Sequence, residues 1–201
     1  MWPERISPRL EGRAVTLEPL GFEHEEALFA AAQPPEIWTW WPFNPAVDRA
    51  SFHRWLMAAF EEVAAGRQAR FATLDAAGQP VGSTSFCTLR REDCGLEIGW
   101  TWLTPAAWGT GANAEAKLLQ LRYAFEQLGC QRVEFYTDER NERSRAALAA
   151  LPAQFEGVLR DIKLLSSGRR RSSAVYSILD REWPGVERAI ADRAERARGR
   201  R

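Results

Sequence analysis

Hydrophobic residues recur at helical spacing in two long stretches of the chain. In the first, residues 49–65, the apolar positions share one face and Gly66 follows. In the second, residues 112–129, that face consists of Ala114, Leu118, Leu121, Phe125 and Leu128. Spacings of three and four residues place side chains on one side of an α-helix, so both stretches are predicted to be helices packed on a core.

Shorter runs rich in β-branched and aromatic residues predict strands. These runs lie at residues 13–17, 70–74, 81–88, 96–103, 132–137, 158–165 and 173–179. Short helices are predicted at residues 23–32 and 144–151, and Pro152 ends the second. Gly99, inside the central strand, predicts a bulge or splay there.

The fold class that follows is mixed α+β. The helix at 112–129 connects two strands, and such a crossover makes them parallel. The remaining strands form hairpins, so we expect a mostly antiparallel sheet with one parallel junction, flanked by helices. Residues 1–182 are assigned to one domain. Residues 183–201, rich in Arg, Glu and Ala, are expected to form a solvated helix that frays at its end.

Composition narrows the function classes. The 27 Lys and Arg residues balance 27 Asp and Glu residues, so we expect no binding of nucleic acid or membrane. No apolar run approaches the roughly 20 residues of a membrane span, and the N-terminus has no signal-peptide pattern, so a cytoplasmic protein is expected. Three cysteines without ligand spacing and two histidines predict free thiols and no metal site.

The segment Trp-Gly-Thr-Gly-Ala at residues 108–112 carries the clearest chemistry. It joins the central strand to the helix that follows, and its two glycines allow a sharp bend and a close approach of backbone to a ligand. The N–H groups at a helix start lie at the positive end of the helix dipole. The segment is therefore predicted to bind phosphate or pyrophosphate; a tight turn without a ligand is the alternative.

Four motifs and an opening segment at residues 10–20 resemble a known family in their order and spacing. The motifs are residues 97–103, 108–116, 141–145 and 156–160. They are similar to the GNAT superfamily of acetyl-CoA-dependent N-acetyltransferases, and within it to the RimJ/RimL-like branch. The resemblance covers nearly the whole chain. It implies the GNAT fold, acetyl-CoA as cosubstrate without a metal, and direct acetyl transfer to a primary amine in a ternary complex.

The same resemblance implies a cofactor site. The pantetheine arm would pair with the central strand and with Asn141, while the pyrophosphate would lie on the glycine turn. The implied cofactor-binding residues are Trp102, Leu103, Trp108, Gly109, Thr110, Gly111, Ala112, Asn113 and Asn141. Ala106 stands where the family usually has Gln or Arg, so the turn must rely on backbone amides. Capping of the helix that begins there is the alternative role of Asn141 and Ser144.

The acceptor amine is expected to bind among tryptophans. Trp38, Trp40 and Trp41 belong to a proline-rich aromatic loop at residues 33–45, and Trp100 would face them. A protonated amine against such rings gains about 0.5–2 kcal/mol of cation–π attraction. Packing in the core is the alternative for at least half of these rings. Residues 169–171, three arginines in the last hairpin turn, are expected to be a solvated tip; steering of an acidic substrate is the alternative.

Two residues are candidate catalysts. Ser144, by its family position, is expected to donate a proton to the departing thiolate. Glu97, on the central strand among tryptophans, is the candidate base, with a solvated or ion-paired role as the alternative. The glutamate that RimL-like relatives carry on the penultimate strand corresponds to Lys163 here. Asp161, expected on the same face as Lys163, and bulk water are the other candidate bases.

Other functions fit parts of the sequence. The pattern Gly109-x-Gly111-x-x-Ala114, with Glu134 downstream, meets the glycine fingerprint of a dinucleotide-binding domain, although an antiparallel hairpin precedes it. A non-catalytic GNAT-like module that binds CoA is a further alternative. The sequence leaves the amine open among a protein or peptide N-terminus, an amino acid, a polyamine and a drug amine. It also leaves open whether the chain forms a homodimer.

Overall fold

The sheet runs through the whole protein and positions every other element. The computed structural model describes residue 2 and residues 6–198. Within this part the strands are β1 (Leu10–Glu11), β2 (Val15–Pro19), β3 (Ala69–Asp75), β4 (Pro80–Arg90), β5 (Gly95–Leu103), β6 (Arg132–Asp138), β7 (Gln154–Leu164) and β8 (Arg170–Leu179). The α-helices are α1 (Glu25–Ala31), α2 (Arg49–Ala64), α3 (Ala112–Arg122), α4 (Glu142–Ala149) and α5 (Trp183–Arg198). None of the helices in this part is long and apolar enough to cross a membrane.

The predicted fold class is confirmed. The strand order is β1-β2-β3-β4-β5-β6-β8-β7, and among the described strands only β5 and β6 pair in parallel. Their pairing is limited to Gly95–Arg132, Leu96–Val133 and Glu97–Glu134. Beyond these pairs the two strands separate toward their C-terminal ends. A wedge-shaped gap therefore opens inside the sheet, beside residues 98–103 and 135–138.

The bulge in β5 lies one residue beyond the predicted position. Ser85 pairs with Gly99 and Ser83 pairs with Trp102, so Thr84 alone opposes two residues. Trp100 has a φ of 50°, in the left-handed region that side chains other than glycine rarely adopt. The sequence predicted a bulge or a splay at Gly99. The bulge is corrected to Trp100, whereas the splay agrees with the structure, because β5 no longer pairs with β6 beyond Glu97.

Two cores lie on opposite faces of the sheet. The first lies against α3 and α5 and includes Phe71, Phe86 and Leu121. The second lies against α1 and α2 and includes Ala72 and Trp102. Adjacent residues of β3 contribute to different cores because successive strand side chains point to opposite faces.

The C-terminal helix is packed, not solvated as expected. Trp183 and Ile190 are buried in the first core. Arg122 of α3 bonds Glu187, and Trp183 Nε1 donates to Glu126, so α5 runs antiparallel to α3. The core thus continues past the expected boundary at residue 182. The expected fraying at residues 199–201 lies outside the described residues, as do residues 1 and 3–5 of the N-terminal prediction.

The last hairpin is also placed differently from the prediction. Its turn contacts the aromatic loop, because the backbone N–H and the hydroxyl of Ser166 both donate to the carbonyl of Pro42, at 3.2 and 2.9 Å. Arg169 forms an ion pair with Asp138, and Arg171 is buried with 7% exposure. Residues 169–171 are therefore not a solvated tip, and Arg170 is the exposed member.

Candidate active site

A cavity of about 1140 Å³ occupies the gap between β5 and β6. At one end it is lined by the glycine turn before α3. At the other end it reaches Glu97, the aromatic loop and the last hairpin. One continuous space therefore connects a helix N-terminus to a carboxylate through the opening in the sheet.

The glycine turn has the backbone of an anion site. Gly109 and Gly111 have φ values of 73° and 91°, and Gly111 is the N-cap of α3 without a side-chain cap. The N–H groups of the first helical turn have no intrahelical acceptor, and those of Asn113 and Ala114 lie at residues that line the cavity. Thr110 stiffens the turn, since its hydroxyl donates to the Ala107 carbonyl at 2.8 Å.

Arginines surround this turn, and the sequence interpretation missed them. The Arg143 guanidinium lies 3.5 Å from the centroid of the Trp108 ring. Trp108 is held in turn by a 2.8 Å bond from its Nε1 to the Leu103 carbonyl. Arg193 and Arg196 of α5 line the same cavity, because the antiparallel packing brings the end of α5 to the start of α3. Their only sequence signal was the basic composition of the C-terminal segment.

The middle of the cavity is lined by the unpaired edge of β5. Trp102 and Leu103 line it, although the Trp102 ring packs 5.4 Å from the Trp38 ring in the second core. On the side facing β6, residues 98–103 have no strand partner. Their backbone is therefore open to a ligand that carries amides. Ala112 does not line the cavity: it is buried, and its N–H donates to the Thr110 hydroxyl at 3.3 Å.

Asn141 and Ser144 lie together on the β6 side. The Asn141 side chain caps α4 by accepting a 3.1 Å bond from the Ser144 N–H. The capping role weighed from the sequence is thus present, and both residues also line the cavity. Among the hydrogen bonds of the described residues, the Ser144 hydroxyl makes none, so it is available to a ligand.

Glu97 lies in the cavity beside the Cys87 thiol. Its Oε2 accepts a 2.7 Å bond from the Thr88 hydroxyl. Its Oε1 lies over Gly99, where a Cβ would come within 2.7 Å of that oxygen. A side chain at position 99 would therefore displace the Glu97 carboxylate from this position. Cys87 is buried, and burial raises the pKa of its thiol to about 12, which makes the thiol unreactive at neutral pH.

Asp161 does not share a face with Lys163. Leu159 pairs with Ser173 and Lys163 pairs with Arg171, so the three residues between them oppose Ser172 alone. Asp161 has a φ of 52° within this bulge, is exposed, and does not line the cavity. The two-residue alternation that placed it beside Lys163 fails because a bulge interrupts the strand.

The tryptophans divide into two groups. Trp40, Trp41 and Trp100 line the cavity. Trp38 does not, because it is 5% exposed and its Nε1 donates to the Ala32 carbonyl at 2.9 Å. Its inclusion in the acceptor pocket is corrected to a packing role.

Trp100 already has cationic neighbours of its own. The Arg70 guanidinium and the Lys163 ammonium lie 5.0 and 5.7 Å from its ring centroid. A cation–π site for a substrate ammonium on this ring is therefore not supported, since the protein's own cations lie against it.

Lys117 is a buried lysine in the wall of the cavity. It is 4% exposed, and its Nζ donates to Thr101 at 2.8 Å and to Thr84 and Gln120 at 3.2 Å. No carboxylate of the described residues is bonded to it, and burial lowers its pKa to about 7. Its signal in the sequence was a lysine on the apolar face of α3, three residues after Ala114.

Comparison with known proteins gives a consistent class. Residues 14–153 match the Acetyltransferase (GNAT) domain family. The chain is similar to the structure of a GCN5-related N-acetyltransferase from Brucella melitensis, at 32% identity and a TM-score of 0.88, covering 94% of this chain and 86% of that chain. It is 28% identical over 199 residues to FsC-acetyl coenzyme A-N(2)-transacetylase of Aspergillus fumigatus, covering 94% of this chain and 84% of that protein. RimJ of Mycobacterium smegmatis, solved in complex with CoA-disulfide, shares the fold at 21% identity and a TM-score of 0.78, covering 92% of each chain.

This protein belongs to the GNAT acetyltransferase family. The resemblance to the GNAT superfamily seen in the sequence is confirmed. The likeness to RimJ shows a shared fold. The dinucleotide-binding alternative is wrong, because a doubly wound sheet needs several parallel pairs and the described strands contain one. The chain is an acetyltransferase of a family that uses acetyl-CoA.

Proposed function

We propose that this protein transfers the acetyl group of acetyl-CoA to a primary amine of a small molecule or peptide by direct attack within a ternary complex. The observation that carries the proposal is the continuous cavity, which joins the glycine turn to Glu97 through the gap between β5 and β6. The two reactants can then approach from opposite ends and meet in the gap.

The residues present fit acetyl-CoA. The turn at Gly109 and Gly111 offers free N–H groups and the positive end of a helix dipole to the pyrophosphate. The unpaired edge of β5 at Trp102 and Leu103 offers backbone partners to the amides of the pantetheine arm. Acetyl-CoA supplies the thioester, whose C–S bond breaks as the amine nitrogen bonds to the acetyl carbon.

Proton transfer is assigned to two side chains at the middle of the cavity. The amine must lose protons to attack and to become an amide, and Glu97 is positioned to take one directly or through water. Thr88 holds one carboxylate oxygen of Glu97 and leaves the other over Gly99. The Ser144 hydroxyl, at the other side of the gap, is the proposed donor to the departing sulfur.

The test is a thiol-release assay with acetyl-CoA and a panel of amines and peptides. Glu97→Gln keeps the shape of the side chain and removes the base, so kcat should fall about 10²-fold or more, with unchanged affinity for acetyl-CoA. Part of the loss should return at high pH, where the free amine deprotonates without help. Glu92→Gln is the matched control, since Glu92 is exposed and lies outside the cavity.

Two results would contradict the proposal. Acetyl-CoA that binds but is turned over with no amine would favour a CoA-binding module without catalysis. If the Glu97→Gln variant keeps the wild-type kcat and pH dependence, Glu97 is not the base, and bulk water takes the proton from the amine.

A further inference from the structure

We propose that the acceptor carries a carboxylate close to its amine, so that free amino acids are the substrate class. The inference rests on the proposed acetyl transfer and concerns the end of the cavity opposite the glycine turn. It is carried by two cations, Lys163 and Arg171, that face the same space from adjacent strands.

Lys163 and Arg171 are direct cross-strand partners. Their Cα atoms pair in the register of β7 and β8, and both residues line the cavity. Like charges directly opposite each other in a sheet repel and destabilise the pair. An anionic ligand between or beside them would remove this repulsion, so the pair is arranged for an anion.

Arg171 has unused hydrogen-bonding capacity in a buried position. It is 7% exposed, and its Nε is buried without an acceptor among the described residues. Burial also lowers its pKa. A buried N–H group without a partner is costly. The guanidinium that carries it lines the cavity, where a carboxylate would accept a charge-assisted bond from Arg171.

The acidic groups near Arg171 do not replace such a ligand. Asp138 and Glu97 both lie within electrostatic range of Arg171. Asp138, however, is already paired with Arg169 at 2.5 Å. Glu97 has one oxygen on Thr88 and is the proposed base for the amine. The charges left at this end of the cavity are the Glu97 carboxylate and the cations Lys163 and Arg171, and Arg70 behind Trp100 adds a further positive charge. A molecule with one ammonium and one carboxylate complements a carboxylate beside such an excess of cations.

The aromatic loop contacts the hairpin that carries Lys163 and Arg171. The turn of the last hairpin is bonded to Pro42 through Ser166, and the ring centroids of Trp41 and Trp100 lie 5.4 Å apart with the rings tilted by 60°. The aromatic loop and the hairpin therefore meet at the end of the cavity that Lys163 and Arg171 line. The carboxylate carbon of a free α-amino acid lies two bonds from the amine nitrogen, so the carboxylate can reach the two cations while the amine lies near Glu97. A peptide N-terminus has a neutral amide at that place.

The experiment compares matched acceptors. Acetylation is measured for the free amino acids, for their carboxamides and for a diamine, and binding of the same compounds to the CoA complex is measured by calorimetry. At least one amino acid should have a kcat/KM about tenfold or more above that of its carboxamide, mainly through KM. In Lys163→Met this ratio should fall toward one, because the variant loses one of the two cations.

Arg170→Met is the matched control, since Arg170 is exposed on the same hairpin and lies outside the cavity. It should keep the wild-type ratio. The inference is overturned if carboxamides, peptides or the diamine are preferred, or if Lys163→Met keeps the ratio. Calorimetry separates the two proposals: an amino acid that binds better than its carboxamide without being acetylated supports the anion site and contradicts the acetyl transfer.

Discussion

Replacement of Lys117 by methionine is expected to change how the stability of the protein depends on pH. Lys117 has a pKa of about 7 in the folded protein, against an ordinary value of 10.5, because burial disfavours the charged amine. Between these two values the unfolded chain binds a proton that the folded chain does not. The free energy of unfolding therefore rises as the pH increases from about 7 to about 10.5. Below pH 7 the folded protein also carries the charged amine, and its stability is lowered by the full cost of burying that charge.

The magnitude follows from the size of the pKa shift. Each unit corresponds to about 1.4 kcal/mol, so the shift from 10.5 to about 7 sets an upper limit of about 5 kcal/mol on the penalty. Methionine has a similar volume and no charge. The substitution removes the three hydrogen bonds that Lys117 Nζ donates, each worth about 1 kcal/mol. Thr84 keeps its bonds to Thr101 and Gln120, at 2.8 and 3.1 Å, so no oxygen is left without a partner.

Lys117→Met should accordingly be more stable than the wild type at pH 7, by about 2 kcal/mol. Its advantage should shrink by about 2 kcal/mol between pH 7.5 and 9. Urea unfolding of both proteins at several pH values measures this difference. Leu118→Met on the same helix is the control, because it replaces one buried uncharged side chain by another and should leave the pH dependence unchanged. A stability difference that is constant from pH 7 to 9 would refute the buried neutral amine.

The remaining predictions concern CoA binding. Gly111→Val should weaken the affinity for CoA about tenfold or more, because a β-branched residue rarely adopts the φ of 91° found in the turn. Gly78→Val is the control measured by the same calorimetry. Gly78 has a φ of 77° in a turn outside the cavity, so the variant bears similar strain and should bind CoA normally. The double variant Arg193→Ala, Arg196→Ala should weaken the affinity for CoA about tenfold, because it removes two cations beside the turn. If these arginines contact the 3′-phosphate, the affinity for 3′-dephospho-CoA should fall less than the affinity for CoA. Arg188→Ala removes an exposed charge from the same helix, and an equal effect there would mean that the field of α5 is responsible instead of contact.

Local patterns in the sequence were sufficient for the fold and for one end of the cavity. Backbone sterics act over neighbouring residues. The glycine turn before α3 and the apolar face of α3 can therefore be predicted without knowledge of any tertiary contact. The crossover helix also determined that β5 and β6 are parallel. The alternation of β-branched residues identified the strands, although the bulge was expected at Gly99 and lies at Trp100.

Long-range packing decided the rest. Trp38 and Trp41 are three residues apart in one loop, yet one is buried against Trp102 and the other lines the cavity. From the sequence, Arg171 was expected in a solvated turn. Lys163 was noted only because it stands where RimL-like relatives carry a glutamate. The hairpin contact with Pro42 places both in the cavity with Glu97.

Some properties of a residue depend on its neighbours in the sequence and others on elements far away in the chain, and this difference explains which features could be predicted. Turn geometry and helix periodicity depend on dihedral angles within a few residues, and the sequence therefore determined the strand-to-helix glycine turn by itself. The burial and partners of a charged side chain depend on elements far away in the chain. Lys117 on α3 bonds Thr84 of β4 and Thr101 of β5. The spacing within α3 places Lys117 on the apolar face, but it could not show which hydroxyl groups its amine would contact.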